Sequence, residues 1–180
     1  MTNAVVVARA DAKPVGVKVV AALVGALVVA AAAQVAIPIP GSLVPFTLQP
    51  MAVLIVGGLL GARYGALSLA IYLAMGAAGL PVFAPFGLPG LARLLGPTGG
   101  FLLSYPVAAA TVGLINGRAA AWPLSRAMIA CLAGMLVIFA GGVSQLAILG
   151  ANAGAIITPF LAADLLKVAV AGLVIRRFAR

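Results

Sequence analysis

Two residues of opposite charge stand inside an apolar stretch that is long enough to cross a membrane. Asp164 is one of only two acidic residues in the 180-residue chain, and Lys167 follows it three positions later. Residues at this spacing share one face of a helix, so we expect the carboxylate and the ammonium to approach each other. A charge at membrane depth is costly unless it is paired, faces a cavity or binds a polar group. The pair therefore indicates a functional site, and a structural ion pair that braces the helices is the alternative interpretation.

The composition of the chain is that of an integral membrane protein. Hydrophobic residues make up 65% of it and charged residues 7%, and the mean hydropathy is +1.29. A soluble domain of this size could not bury so much apolar surface, so we expect lipid to be its solvent. The net charge of +9 comes from basic residues near helix ends instead of a basic patch with interleaved aromatics. We therefore predict no binding to nucleic acid.

Clusters of proline and glycine divide the apolar runs into segments that position the charged pair. They predict an all-α integral membrane protein with six transmembrane helices in a single domain, preceded by a cytoplasmic segment at 1–16. A long connection rich in glycine and proline, 80–100, separates the third helix from the fourth and has the character of a lid or binding loop. The predicted helices cover 17–37, 48–60, 65–79, 101–116, 124–149 and 158–178.

The basic residues predict the orientation of these helices. If the N-terminus is cytoplasmic, the outer connections 38–47 and 149–157 carry no charge, as the positive-inside rule requires, and both termini lie in the cytoplasm. A cleavable signal peptide ending near 31–33 is the alternative for the N-terminus. Of the eleven basic residues, topology leaves only Arg93 and Lys167 unexplained, because nine fall on the cytoplasmic side: Arg9, Lys13, Lys18, Arg63, Arg118, Arg126, Arg176, Arg177 and Arg180.

Uncharged polar residues point to the same outer region of the fold. In this topology Gln34, Gln49, Ser104 and Gln145 fall near the outer ends of their helices, and Asn152 lies in an outer loop. Together with the charged pair, they indicate a polar pocket that is open to the outside and capped by the 80–100 connection.

Helix 1 carries small residues four positions apart, at Ala22, Ala26 and Ala30. This spacing allows two membrane helices to approach closely, so the alanines predict a docking face for another membrane subunit. In a chain so rich in alanine, chance is the alternative explanation of the spacing.

The residues that are missing exclude several activities. The chain has no Gly-x-x-x-x-Gly-Lys-[Ser/Thr] motif, no histidine and a single cysteine, Cys131. Nucleotide hydrolysis through a P-loop, a Ser-His dyad and a His- or Cys-ligated metal site are therefore not expected. We predict a protein that is not an enzyme and needs no cofactor or metal. A stand-alone or proton-coupled carrier that uses Asp164 and Lys167 remains an alternative function.

Five short strings, in order along the chain, resemble the BioY family, the biotin-binding S component of energy-coupling factor (ECF) vitamin transporters. The resemblance extends over nearly the whole chain after Lys18. The strings are Val44-Pro-Phe-Thr-Leu-Gln49, Gly61-Ala-Arg-Tyr-Gly-Ala66, Gly79-Leu-Pro-Val-Phe83, Gly96-Pro-Thr-Gly-Gly-Phe-Leu102 and Asp164-Leu-Leu-Lys167.

The resemblance implies a six-helix S-component fold in the cytoplasmic membrane of a prokaryote, with biotin bound near the outer face. It implies three partners, a membrane coupling protein and two cytoplasmic ATPase subunits, and it assigns docking of the coupling protein to the alanines of helix 1. In biotin, a ureido ring would suit Asp164 and Lys167, and the carboxylate would suit the guanidinium of Arg93. Further candidates for biotin contacts are Gln49, Asn152 and, for packing against the thiophane ring and chain, Phe46, Tyr72 and Phe83.

Overall fold

A computed structural model describes residues 14–117 and 123–178 of the chain. Most of the predicted segment 1–16 lies outside these residues, as do Arg9, Lys13, Arg118 and Arg180. The described part is almost entirely helical, and its only sheet is a two-stranded antiparallel hairpin of β1 (Ala36–Ile37) and β2 (Phe46–Thr47). The helices are α1 (Val15–Gln34), α2 (Gln49–Ala77), α3 (Leu91–Leu95), α4 (Gly99–Asn116), α5 (Leu124–Ile148), α6 (Ala153–Ile157) and α7 (Leu161–Phe178).

The element α2 consists of two helical arms that meet at a break. Gly61 interrupts the helix with φ 75° and ψ 174°, a conformation that glycine adopts without the steric penalty of a side chain. The two arms fold back on each other at Gly61, since Gln49 in the first arm bonds Tyr72 in the second and a Cβ on Gly65 would lie 2.9 Å from the Cα of Gly57. They correspond to the second and third predicted helices, and counting them separately gives six helices in the described residues. Within residues 14–117 and 123–178, five helical segments are long and apolar enough to cross a membrane; the last comprises α6, a 3₁₀ turn (Thr158–Phe160) and α7. The predicted all-α membrane fold is confirmed.

Small residues bring α1 and α2 together. Ala22 and Ala26 are completely buried and Ala30 almost so, and the Ser68 hydroxyl donates a hydrogen bond of 2.8 Å to the carbonyl of Ala22. A Cβ added to Gly25 would lie 3.1 Å from the Val56 side chain. In this structure the alanine stripe packs against α2 within the same chain. That the stripe docks another subunit stays a prediction.

A second close contact joins the backbones of α2 and α4. A Cβ on Gly57 would lie 2.7 Å from the Cα of Ala109, and a Cβ on Gly113 would overlap the backbone nitrogen of Ala62. Only glycine allows two backbones to approach so closely. This contact, which we call the α2–α4 seam, spans the break at Gly61.

Apart from Arg93 and Lys167, the basic residues that the structure describes gather at one end of the bundle. The Nζ of Lys18 and the Cζ of Arg63 each lie 5.8 Å from the centre of the Tyr64 ring. The Nε of Arg126 donates a hydrogen bond of 2.7 Å to the carbonyl of Ile115, near the end of α4. The hairpin, α3 and α6 lie at the opposite end, which we call the polar end. This is the separation of charge that the sequence predicts.

Candidate ligand-binding site

A cavity of about 670 Å³, including its mouth, lies at the polar end. The walls come from β2, the start of α2, α3, the first half of α4, the middle of α5 and the segment from α6 to α7. Most of the lining is apolar or aromatic, and a few polar and charged side chains converge on it. This is the usual construction of a site that binds one small organic molecule.

The expected ion pair lies on the cavity wall. The Nζ of Lys167 donates a hydrogen bond of 2.6 Å to Oδ1 of Asp164, and both residues are buried. They belong to the first turns of α7, which follows α6 and the 3₁₀ turn at Thr158–Phe160 in one spanning segment. A bond between two full charges is among the stronger hydrogen bonds in proteins. It compensates part of the cost of holding both groups in an apolar surrounding.

An aromatic floor lies beneath the ammonium group. The Nζ of Lys167 is 3.8 Å from the centre of the Phe46 ring, which is the geometry of a cation–π contact. Phe46 is in turn parallel to Phe160, with ring centres 6.3 Å apart. The two rings and the ion pair give this side of the cavity both a flat apolar surface and a charged edge.

Arg93 supplies a second and separate charge to the cavity. Its side chain is buried; Nη2 donates a hydrogen bond of 2.9 Å to the carbonyl of Ala84, and Nη1 donates one to the carbonyl of Phe86. Within residues 14–117 and 123–178 the only ion pair is that of Asp164 with Lys167, so Arg93 is held by neutral acceptors alone. Burial lowers the pKa of its guanidinium from the ordinary value. An anion entering the cavity would therefore meet a desolvated cation.

Gln49 lies on the wall with its amide fixed by a buried network. Its Nε2 donates to the hydroxyl of Tyr72, and its Oε1 accepts from Thr47 Oγ1 at 3.4 Å and from the Tyr105 hydroxyl at 3.5 Å. Tyr72 also meets Phe83 edge to face, with ring centres 5.5 Å apart. Neither Tyr72 nor Phe83 lines the cavity. They lie one layer behind the wall, where Tyr72 supports Gln49, and their contact with a ligand stays a prediction.

Two other polar residues singled out in the sequence do not reach the cavity. Asn152 is exposed and caps α6, where its Oδ1 accepts a hydrogen bond of 3.1 Å from the nitrogen of Ala155. Its contact with a ligand stays a prediction. Ser104 bonds the carbonyl of Phe101 in the preceding turn of its own helix. Short polar side chains often satisfy such local acceptors, and their presence near a pocket does not by itself indicate binding.

Gln34 and Gln145 hold the connection between α2 and α4 in place. The Nε2 of Gln34 donates to the carbonyl of Phe83 at 3.3 Å, and the Nε2 of Gln145 donates to the carbonyl of Leu95 at 3.2 Å. Together with Arg93, these side chains satisfy carbonyl groups of a segment that has little regular secondary structure of its own. The connection is therefore held in place beside the cavity, and Ala84, Arg93 and Thr98 form its part of the wall.

Several lining residues were not identified from the sequence. Tyr105 is buried beside Gln49, Thr98 precedes α4, and Phe160 forms half of the aromatic floor. Tyr105 had a usable signal, because it is the only residue in the apolar run 101–116 that combines a ring with a hydroxyl. Phenylalanines and threonines next to a turn carry no such signal, since most of them belong to cores or caps.

A bundle of membrane helices with an ion pair and a separate buried cation around one small-molecule cavity defines a solute-binding membrane protein. A sequence profile of the BioY family matches residues 6–180, and the chain belongs to that family.

Relatives from three prokaryotes are similar over most of their length. The biotin transporter BioY of Rhodobacter capsulatus is 38% identical over 88% of this chain and 90% of its own. The biotin transporter BioY of Thermotoga maritima is 39% identical over 78% of this chain and 84% of its own. The probable biotin transporter BioY of Pyrococcus horikoshii is 39% identical over 74% and 80%.

A solved structure has the same fold. The S component for biotin from an ECF-type ABC transporter aligns with a TM-score of 0.76 and 24% identity, over 98% of this chain and 93% of that one. The six-helix S-component fold implied by the sequence resemblance is confirmed.

Proposed function

We propose that this chain binds biotin and serves as the substrate-binding subunit for its uptake across the cytoplasmic membrane by an ECF-type transporter. Membership of the BioY family and relatives named as biotin transporters support the proposal. The single observation that carries it is the division of charge in the cavity, where a buried acid–base pair and a buried lone cation occupy different parts of the wall.

The chemistry of biotin matches this division. Its ureido ring presents two N–H donors and one carbonyl acceptor, which the Asp164 carboxylate and the Lys167 ammonium can satisfy by charge-assisted bonds. Its carboxylate requires a cation, and the guanidinium of Arg93 has five N–H donors, of which the Ala84 and Phe86 carbonyls use two. The apolar thiophane ring would pack on Phe46, with the amide of Gln49 beside it.

The proposed partners are a membrane coupling protein and two cytoplasmic ATPase subunits. The chain has no P-loop motif, so ATP hydrolysis would take place in those subunits. We infer that the basic end of the bundle and both termini face the cytoplasm, as the positive-inside rule requires. The cavity would then open to the outside, where the vitamin is captured.

Calorimetry on the purified protein tests the ligand and the role of Arg93 together. We expect the wild type to bind biotin without ATP or a proton gradient. Arg93→Ala should weaken biotin binding by roughly 10- to 100-fold, because a hydrogen-bonded charge contributes about 1.5–3 kcal/mol. Biotin amide has no carboxylate, so its affinity should change much less. Arg126→Ala, which removes a cation at the opposite end, is the control.

Arg93 also holds the connection, so the comparison of ligands is essential. Equal losses for biotin and for the amide would show that Arg93 acts by ordering the carbonyls of Ala84 and Phe86 and does not contact the carboxylate. No binding of biotin to folded wild-type protein would refute the proposed function itself. Uptake that needs no partner and stops with an uncoupler would favour the proton-coupled carrier.

A further inference from the structure

We infer that Gly87 is a positioning residue for Arg93, and that discrimination in favour of a ligand with a free carboxylate depends on the missing side chain at position 87. The inference rests on the proposed function, because it concerns the group that would receive the carboxylate of biotin. It adds a residue that lies outside the cavity lining.

The space that a side chain at position 87 would need is filled by the guanidinium of Arg93. A Cβ built on Gly87 would overlap Nη1 of Arg93 and would lie 3.0 Å from its Cζ. The carbonyl of the preceding residue, Phe86, accepts the hydrogen bond from that same Nη1, and the carbonyl of Ala84 accepts from Nη2. The guanidinium therefore bonds the backbone at 84–86 with both terminal nitrogens, and Nη1 occupies the place that a Cβ at position 87 would take.

A methyl group at position 87 would move the guanidinium of Arg93 more easily than it would move the backbone. The atom that it meets is the far end of a long, flexible side chain, whereas Gly87 belongs to a backbone anchored on both sides by Gln34 and by α3. A shifted guanidinium would lose its carbonyl partners and its place on the cavity wall. Because charge-assisted bonds depend on direction, a carboxylate positioned by the rest of the cavity would no longer be met.

Backbone strain is a competing explanation, and Gly79 provides a matched control for it. Gly87 has φ +116° and Gly79 has φ +93°, a region that residues with side chains rarely adopt. Both glycines belong to the same connection, but a Cβ on Gly79 would meet nothing within 4 Å. Alanine at either position thus introduces strain, and only alanine at position 87 also pushes on Arg93.

The test compares Gly87→Ala, Gly79→Ala, Arg93→Ala and the double variant Gly87→Ala/Arg93→Ala by calorimetry with biotin and with biotin amide. We expect Gly87→Ala to weaken biotin binding about tenfold more than Gly79→Ala does, the loss of a charge-assisted bond. The two variants should bind the amide alike. In the Arg93→Ala background, Gly87→Ala should have no effect beyond that of strain, because the group that it displaces is gone.

Two results would overturn the inference. One is equal loss of biotin affinity in Gly87→Ala and Gly79→Ala, which would leave strain as the whole effect. The other is an additive loss in the double variant, which would mean that position 87 acts independently of Arg93. Both outcomes require wild-type protein that binds biotin, so they are distinct from failure of the proposed function, in which the wild type shows no binding.

Discussion

Replacement of Asp164 by asparagine removes one charge from the cavity and leaves its shape almost unchanged. Oδ1 of Asp164 accepts the bond of 2.6 Å from Lys167, and the ammonium has no other anionic partner in the described part of the chain. An asparagine could still accept that hydrogen bond with its carbonyl oxygen. The variant therefore tests the charge, and the packing of α7 is preserved.

Two separate costs follow from the substitution. Breaking a buried ion pair by removing one partner costs about 3–5 kcal/mol of folding free energy, because the other charge stays buried without compensation. If the carboxylate also receives the ureido N–H groups, biotin loses a charge-assisted interaction of up to about 3 kcal/mol, or roughly two orders of magnitude in affinity. We expect both a lower Tm and a higher Kd for biotin.

A second variant separates the two costs. Asp164→Asn/Lys167→Met removes both charges, and replacing a whole buried pair is often neutral or stabilising. We expect the double variant to recover Tm but not biotin binding. Calorimetry on detergent-purified protein gives Kd, and a thermal unfolding curve of the same preparation gives Tm. Asn152→Ala, which removes an exposed cap outside the cavity, should leave Kd unchanged.

One outcome would refute the assignment of the ion pair to ligand binding. If Asp164→Asn lowers Tm while biotin affinity stays within about threefold of the wild type, the pair is a structural brace. The carboxylate would then have no contact with the ureido ring. Asp164 and Lys167 would then have a structural role only, like Tyr72, which supports Gln49 from behind the wall.

Two further predictions concern α1 and the orientation of the bundle. Ala26→Trp should lower Tm sharply, since overpacking a filled contact costs about 1–3 kcal/mol or more. Leu27→Trp, on the exposed side of the same helix, is the control and should leave Tm unchanged. Equal Tm values for the two variants would mean that the α1–α2 contact is absent in solution. Cysteines at Leu43, Leu88 and Gly154 should react with an impermeant thiol reagent added to intact cells, and a cysteine at Arg63 should react only after permeabilisation. The reverse pattern would invert the proposed topology. The native Cys131 is completely buried and should stay silent.

The charged part of the site could be found from the sequence because charge is so scarce in this chain. Asp164 and Lys167 stand out in an apolar run, and Arg93 stands out once topology explains the other cations. Each of these three lines the cavity. The cost of placing a charge in lipid makes such residues informative even without a structure.

The uncharged part of the site could not be found in the same way. Phe46 and Phe83 belong to similar strings of the sequence, yet one forms the floor of the cavity and the other lies behind its wall. The alanine spacing of α1 predicted a close helix contact correctly but did not indicate which helix would make it. Periodicity identifies the face of a helix, whereas the partner of that face depends on how the whole chain folds.

The size of the side chains in the α2–α4 seam fixes the distance between two helices that both contribute to the cavity wall. Gln49 lies about 12 Å from Gly57 along the first arm of α2, at 1.5 Å per residue, and Tyr105 lies one turn from Ala109 on α4. Gln49 and Tyr105 thus lie on the same side of the seam, where the Tyr105 hydroxyl donates a hydrogen bond of 3.5 Å to Gln49 at the cavity wall. A single methyl group at Gly57 would press on the Ala109 backbone, which cannot rotate away as a side chain can. Larger residues in the seam would push α2 and α4 apart and so separate Gln49 from Tyr105. A change in the size of the accepted ligand can therefore arise at positions that do not contact the ligand.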